Sequence, residues 1–463
     1  MHPSVRLSIL GIFALLAGGC GSAPAAAPSA PSKPASASVA AASQPAPTSS
    51  GAAASAKPAA SASAKPAAGG LIKVGILAPL TGPLSNSGKD NQDGFNLYLD
   101  SVNGTMAGRK IDALWGDEQA NAEAGLLKAK QFVESDKVPL LMGITQSAVA
   151  YPVADYVAQA QIPLALTGNA AGAQLMKHKS PYLMRFTQGV TVITDPQADW
   201  VYKHGYRKAI VFAYNNTGGL EFNDGFASAF VKRGGSIIQD FYPSVGTSDY
   251  GPFLAQLNSA ADVIVAFLPG VDGLHFLEQF SNYGASKKPQ IIDTTGAMTS
   301  GANMLQLKDK GVGVIAAMMY SNAIDSAENR KFMKLFHDKF PNRELSSDVV
   351  EGYSGAQVLE SALKTVSGQI EDKQSFLSAL YKTDIETARG RLRLDADHDA
   401  VENVYVYQIT KEGNTFGQKI LDTYTDVSRA WDRTPQELDR FPFGTLKGKW
   451  VGMTKAQLDE LVK

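Results

Sequence analysis

The sequence predicts an α/β protein of two doubly wound, Rossmann-like lobes, and three observations carry that expectation. Short apolar runs recur along the chain, several of them apolar on consecutive residues rather than on alternate ones. Amphipathic segments of helical period separate these runs. After Tyr320 the alternation gives way to successive helical patterns and then to two strand-like pieces, as expected of one chain that crosses between two lobes more than once.

The predicted strands, in order, are 72–77, 111–115, 139–144, 162–166, 209–213, 237–242, 263–268, 291–293 and 312–319. Consecutive apolar residues suit parallel strands covered on both faces. The helical patterns between them span 92–102, 122–135, 149–159, 221–232, 250–260 and 273–283. Strand–helix alternation implies right-handed βαβ units and open sheets. Beyond Tyr320, helices are expected over 326–340, 347–366 and 374–381, then strands at 391–394 and 404–409. In such sheets ligands sit beyond the carboxyl ends of the strands, so those ends are where site residues are sought.

The first 70 residues read differently. Arg6 precedes a mainly apolar run from Leu7 to Ala17, too short to span a bilayer but suited to a signal-peptide core. It leads into Leu16-Ala17-Gly18-Gly19-Cys20, which resembles a lipobox, with Ala17 where leucine is usual. Residues 1–20 are therefore expected to be a lipoprotein signal with Cys20 lipidated; cleavage by the ordinary signal peptidase is the alternative. Residues 21–70 are almost entirely Ala, Pro, Ser and Lys, with Val39 the one β-branched aliphatic residue. Such a tract cannot offset its ordering entropy by burial, and it is expected to be a disordered tether.

Composition excludes several functions. Cys20 is the only cysteine, so neither disulfides nor a cysteine zinc cluster is expected, and a large apolar core must hold the body together. All 44 acidic residues lie beyond residue 70, whereas Arg6, Lys33, Lys57 and Lys65 of the 43 basic ones precede it. The body is mildly acidic with no basic block, which argues against nucleic acid as a partner.

Lys73-Val74-Gly75-Ile76-Leu77-Ala78-Pro79-Leu80-Thr81-Gly82-Pro83, with Gly88 and Gly94 after it, resembles the opening of the periplasmic leucine/isoleucine/valine-binding family. Asn103, Ala107-Gly108-Arg109-Lys110, Gly116-Asp117-Glu118, and Gly143 with Ser147 continue the likeness. Tyr242-Pro243-Ser244-Val245-Gly246-Thr247-Ser248-Asp249-Tyr250 is similar to a stretch in the family's amide- and aromatic-acid-related branches, and Leu268-Pro269-Gly270 and Ala388-Arg389-Gly390 add to it. The resemblance covers about 71 to 410. It implies a type I periplasmic-binding-protein fold, its lobes joined by a three-strand hinge, with lobe 1 from 71–188 and 322–388 and lobe 2 from 189–321 and 389–463. It also implies a solute-binding lipoprotein of an ABC importer: periplasmic or cell-surface, lipid-anchored, monomeric, without cofactor or metal, closing on a small carboxylate- or amide-bearing solute and presenting it to a membrane permease.

Gly143-Ile144-Thr145-Gln146-Ser147 follows a strand and precedes a helix, where free backbone N–H groups and a partial positive charge can seat a carboxylate. By resemblance Ser147 hydrogen-bonds that carboxylate, with Thr145 and Gln146 beside it; read from spacing alone, Ser147 or Thr145 is a helix cap. Thr167-Gly168-Asn169-Ala170-Ala171 follows the next strand, and the family completes the carboxylate cradle there. In this chain Ala170 and Ala171 offer backbone contact only, and Thr167 or Asn169 could supply a side chain, against the reading of a plain turn. Where the family's amino-acid binders carry an acid in lobe 2 for the ligand's ammonium, this chain has Thr295, with Asp293 and Asp272 the nearby acids. Where relatives carry an aromatic lid it has Gly218, with Tyr214 as a substitute or a core residue. Pro269 completes the candidate set. These departures favour a carboxylate or amide lacking an α-ammonium over leucine, isoleucine or valine.

Two rivals share the sequence: a sensing receptor module with the same clamp and no transport, and an exported hydrolase. The hydrolase lacks a Gly-x-Ser-x-Gly elbow or a Ser/His/Asp arrangement. Gly311-Val312-Gly313 starts a strand rather than following one and is not a dinucleotide fingerprint. His275 with Glu278 reads as a solvated helix face.

Overall fold

The computed structural model describes residues 70–178, 180–283, 288–413 and 415–463. The signal segment, Cys20 and the tether lie outside them.

Two sheets organise the body. The first has six strands in the order β2-β3-β1-β4-β5-β6. They are β1 (Ile72–Ala78), β2 (Thr105–Met106), β3 (Arg109–Asp117), β4 (Leu141–Gly143), β5 (Leu164–Leu166) and β6 (Leu183–Arg185). All neighbours run parallel except β2 and β3. The interior strands are buried on successive residues, as the consecutive apolar runs require. Helices α1 (Ser85–Ser101), α2 (Ala122–Lys130) and α3 (Ser147–Ala160) fill the connections.

The chain then passes to the second sheet through α4 (Val190–Lys203). Its parallel part comprises β7 (Lys208–Ala213), β8 (Ser236–Phe241), β9 (Val263–Phe267), β10 (Gln290–Asp293) and β11 (Ile315–Met318). Helices α5 (Thr217–Lys232), α6 (Gly251–Leu254), α7 (Val271–Ser281) and α8 (Ala302–Leu307) connect them. The chain returns to the first sheet with α9 (Ala327–Lys339), α10 (Ser347–Thr365) and α11 (Lys373–Tyr381), of which α10 lies along α1. Glycine makes that packing close: a Cβ on Gly352 would stand 1.9 Å from the Asn91 carbonyl oxygen. A last crossing adds β12 (Asp384–Thr387), β13 (Gly390–Leu394), β14 (Ala400–Glu412) and β15 (Thr415–Val427), all antiparallel, to the second sheet. Its order is β12-β13-β14-β11-β10-β9-β7-β8, with β15 on the free side of β14. The β12–β13 hairpin straddles residue 388, where the sequence reading put the final crossover. The tail ends in α12 (Pro435–Arg440) and α13 (Lys455–Glu460), each opened by a threonine capping box.

Buried ion pairs staple the crossings. Arg185, at the end of β6, makes a two-pronged contact with Asp399 at 2.7 and 2.6 Å and also donates to the Ala171 and Gly172 carbonyls. Arg389 pairs with Glu402 at 2.7 Å and donates to the Phe186 carbonyl. All four charged side chains are almost wholly removed from water.

The nine predicted strands appear within a few residues of their expected bounds. The helix expected over 250–260 shrinks to α6, because the chain breaks into turns after Leu254. Eight elements had no counterpart in the sequence reading: β2, β6, β12, β15, α4, α8, α12 and α13. Helix α4 starts with Val190-Thr191-Val192-Ile193-Thr194, contains Pro196 and is buried on nearly every face, so it shows neither helical propensity nor a polar stripe.

Candidate functional site

A cavity of about 310 Å³ opens between the two sheets at the carboxyl ends of their strands. The first residues of four helices reach it: Pro83, Leu84 and Ser87 at α1, Thr145, Gln146 and Ser147 at α3, Asn216 and Gly218 at α5, and Ser347 and Asp348 at α10. Each start brings unpaired N–H groups and the positive end of a helix dipole, so together they favour negative charge in the space between them. Among the described residues no Lys, Arg, His or Cys lines the cavity. Its remaining wall is largely apolar: Tyr214, Phe222, Phe267, Pro269, Ala297 and Met318 face it, with Val245 at an exposed position.

The geometry at α3 comes from two residues of positive φ. Gly143 sits at φ 92°, and a Cβ there would stand 2.2 Å from the Leu77 carbonyl oxygen. Ile144 follows at φ 65°, a costly conformation for a β-branched residue. The chain then turns so that 145–147 face the cavity. Gln146, not Thr145 or Ser147, occupies the capping position, and no side chain caps this terminus. The Ser147 hydroxyl is therefore not spent as a cap. The first intrahelical bonds run from Val149 and Ala150 to the Gln146 carbonyl, which leaves the N–H groups of Ser147 and Ala148 ahead of the ladder.

Behind this turn Glu118 accepts the Thr145 N–H at 3.1 Å, so that amide is not free for a solute. Burial pushes the Glu118 carboxyl up to about 8, against the lowering effect of backbone bonds from Thr145 and Gln146. Near neutral pH it is protonated and adds no negative charge beside the helix start.

Across the gap Asn216 caps α5 by accepting the Gly219 N–H at 2.9 Å. Gly218 then faces Ser147, and a Cβ added there would lie 4.0 Å from the Ser147 hydroxyl oxygen. The residue without a side chain stands where an aromatic lid was expected, which leaves that side of the cavity open. Tyr214 does line the cavity, and its hydroxyl is anchored on the Pro269 carbonyl at 2.7 Å.

Of the sequence candidates, Thr145, Gln146, Ser147, Asn169, Tyr214, Gly218, Pro269 and Thr295 are gathered around this one space. Four are not. Thr167 faces inward: its hydroxyl accepts the Gly143 N–H at 3.1 Å and its carbonyl accepts from Asn91 at 3.2 Å. Ala170 and Ala171 are fully buried, and the Ala171 carbonyl is taken by Arg185 at 2.6 Å. Asp272 folds back onto the Gly246 N–H at 2.6 Å. Asp293, the other acid considered for an ammonium, is also committed. It accepts from the 295–299 turn, including the Met298 N–H at 2.9 Å, and burial pushes it up to about 7.

Sequence reasoning missed Ser87, Gln188 and Asp348. Asp348 follows Ser346-Ser347 at the head of an apolar run, a pattern that reads as a helix start and a first-turn acid. Gln188 lies in the crossing between β6 and α4, which carries no periodic signal at all. Among the described residues no group of three His, Cys, Asp or Glu side chains could hold a metal ion, and no helix is long and apolar enough to cross a membrane.

The sequence profile of the periplasmic binding proteins matches residues 71–414. Leu/Ile/Val-binding protein homolog 6 of Brucella melitensis is 24% identical over 360 residues, covering 76% of this chain and 92% of that protein. Among solved structures, an ABC transporter substrate-binding protein from Sphaerobacter thermophilus is 27% identical with a TM-score of 0.73, covering 78% of this chain and 99% of the other. A solute-binding protein of an ABC transporter from Rhodopseudomonas palustris BisB5, solved with 3,4-dihydroxybenzoic acid, is 26% identical with a TM-score of 0.72, covering 78% and 98%.

Proposed function

Because this chain belongs to the periplasmic binding protein family, an extracytoplasmic family, we propose that it is the solute-receiving component of an ABC importer and that it takes a small carboxylate with an apolar body. The observation that carries the reading is the cavity itself. Helix starts from both sheets converge on it, no side-chain cation among the described residues lines it, and apolar and aromatic residues form most of its remaining wall. A carboxylate is stabilised there by N–H groups and hydroxyls rather than by a salt bridge. Ser147 with the 147–148 amides supplies that contact, and Tyr214, Phe222, Phe267 and Met318 enclose the body of the solute. A ligand touching both walls favours the closed form by its differential affinity, and the closed form is what a permease reads. The relatives named as transporter binding proteins support this assignment.

Isothermal titration against aromatic acids, branched aliphatic acids, amino acids and short amides tests it: saturable binding of one carboxylate class is expected, and no binding across all of them overturns it. Arg6, the run from Leu7 to Ala17 and Cys20 support a lipid anchor on the same protein. Labelling with a fatty-acid probe that persists in Cys20→Ala would remove that part.

A further inference from the structure

The cavity has a polar corner that carboxylate capture leaves unused. Gln188 donates from Nε2 to the Asn169 Oδ1 at 3.1 Å, and Asn169 donates from Nδ2 to the Asp348 carboxylate. All three residues line the cavity, with Ser87 beside them. The chain of donors runs one way and leaves acceptors over. Gln188 is only 3% exposed, and its Oε1 is buried without a partner. Asp348 is partly open to the cavity and is the only ionisable acid or base among the lining residues apart from the Tyr214 phenol. Arg343, five residues before Asp348, is engaged by Asp90 and Asp93, and Asp90 also accepts from the Ser346 hydroxyl. Burial, with the Asp90 charge added to it, pushes the Asp348 carboxyl up to about 7 despite its bonds from Ser87 and Asn169.

We propose that Asp348, with the free oxygen of Gln188, forms a second recognition point in this site and selects solutes that carry a hydrogen-bond donor, a hydroxyl or an ammonium, as well as a carboxylate. The proposal rests on the anion-capture reading above. Buried acceptors left unpaired by a donor-free analogue cost affinity, so the site rejects that analogue. The acid that sequence comparison sought on the second sheet's side is thus supplied from the first sheet's side, at the head of α10.

Two matched pairs test it on the purified full-length protein by titration: benzoate against 4-hydroxybenzoate, and 4-methylpentanoate against leucine. The first pair reports a hydroxyl, the second an ammonium. The donor-bearing member of at least one pair is expected to bind about tenfold or more tightly. Asp348→Asn should abolish most of that preference, since the acceptor is weakened. Gln188→Met gives a second arm if Asp348→Asn disturbs α10. No preference in either pair, or a preference untouched by both variants, overturns the proposal. Acids that bind, weaken in Ser147→Ala and ignore Asp348→Asn overturn the second point alone. Failure of all four to bind removes the anion-capture reading with it.

Discussion

The Tyr151 hydroxyl on α3 donates at 2.6 Å to the Glu221 carboxylate on α5, tying helices of the two sheets together beside the cavity. The other Glu221 oxygen accepts the Ala173 N–H at 3.3 Å, and the Gln174 N–H reaches back to the Tyr151 oxygen at 3.1 Å. The same pair of helix starts, α3 and α5, presents Ser147 and Gly218 to each other.

This latch has a pH dependence with a definite sign. Burial pushes Glu221 up to about 7, although Tyr151, Ala173 and the Arg185 charge act the other way and Asp224 adds to it. A carboxyl harder to ionise here than in water favours this arrangement while protonated, and that advantage is lost as pH rises through about 7. Solute affinity is expected to fall as pH rises from about 4.5 to about 7 and to level off above that, with a slope of at most about one log unit per pH unit from this group. Titrations at several pH values check it. Glu221→Gln should remove the part of the fall that ends near 7 and leave the part that Glu118 contributes near 8.

Ser147→Ala is expected to weaken solute binding by about 1–3 kcal/mol, the cost of leaving a buried charged acceptor short of a donor. Circular dichroism and thermal melting should be unchanged, because the hydroxyl caps nothing. An unchanged affinity would remove Ser147 from the site.

Gly218 offers a steric test. A methyl group fits, meeting nothing nearer than 3.9 Å, so Gly218→Ala should bind nearly as the parent does. Gly218→Trp would project into the space in front of Ser147. Loss of binding with an intact melting transition is expected, and retained binding would place the solute elsewhere.

How much of this was legible beforehand depended on local signal. Buried parallel strands such as β1 announce themselves by consecutive apolar residues, and helix α10 by its long periodic run. The carboxyl-end rule pointed to the turn after β4, but spacing alone made Ser147 or Thr145 a cap there, and only the family resemblance made Ser147 a solute contact. Helix α4 was illegible because its β-branched start and Pro196 oppose helix formation while tertiary burial overrides them. Thr167, Ala170 and Ala171 carried the right positions along the chain but the wrong direction, since a turn after β5 rotates them into the lobe. Asp348 and Gln188 arrive from segments distant in sequence, and only the packing of α10 on α1 and the crossing after β6 bring them to the cavity.

The crossings themselves are testable. Arg185→Met strands Asp399 in the interior and is expected to cost about 3–5 kcal/mol, measured by urea unfolding. Replacing both partners with apolar residues should recover much of that loss.

The C-terminal segment belongs to the folded body. Trp450 is fully buried and donates from its indole at 2.6 Å to Asp224 on α5, which also accepts the Gly444 N–H at 2.7 Å. Trp450→Ala is expected to destabilise by about 3–5 kcal/mol, and chemical denaturation would read it directly.

Strand β15 has a bearing on how the protein survives at high concentration. Paired with β14 alone, it turns a thirteen-residue row of backbone donors and acceptors toward the outside. Lys419, Asp422 and Asp426 punctuate that row, and two irregularities in its pairing with β14 bend it away from flatness. Another molecule's strand that tried to extend the sheet there would meet charge and curvature instead of a template, so crowding need not become fibre formation.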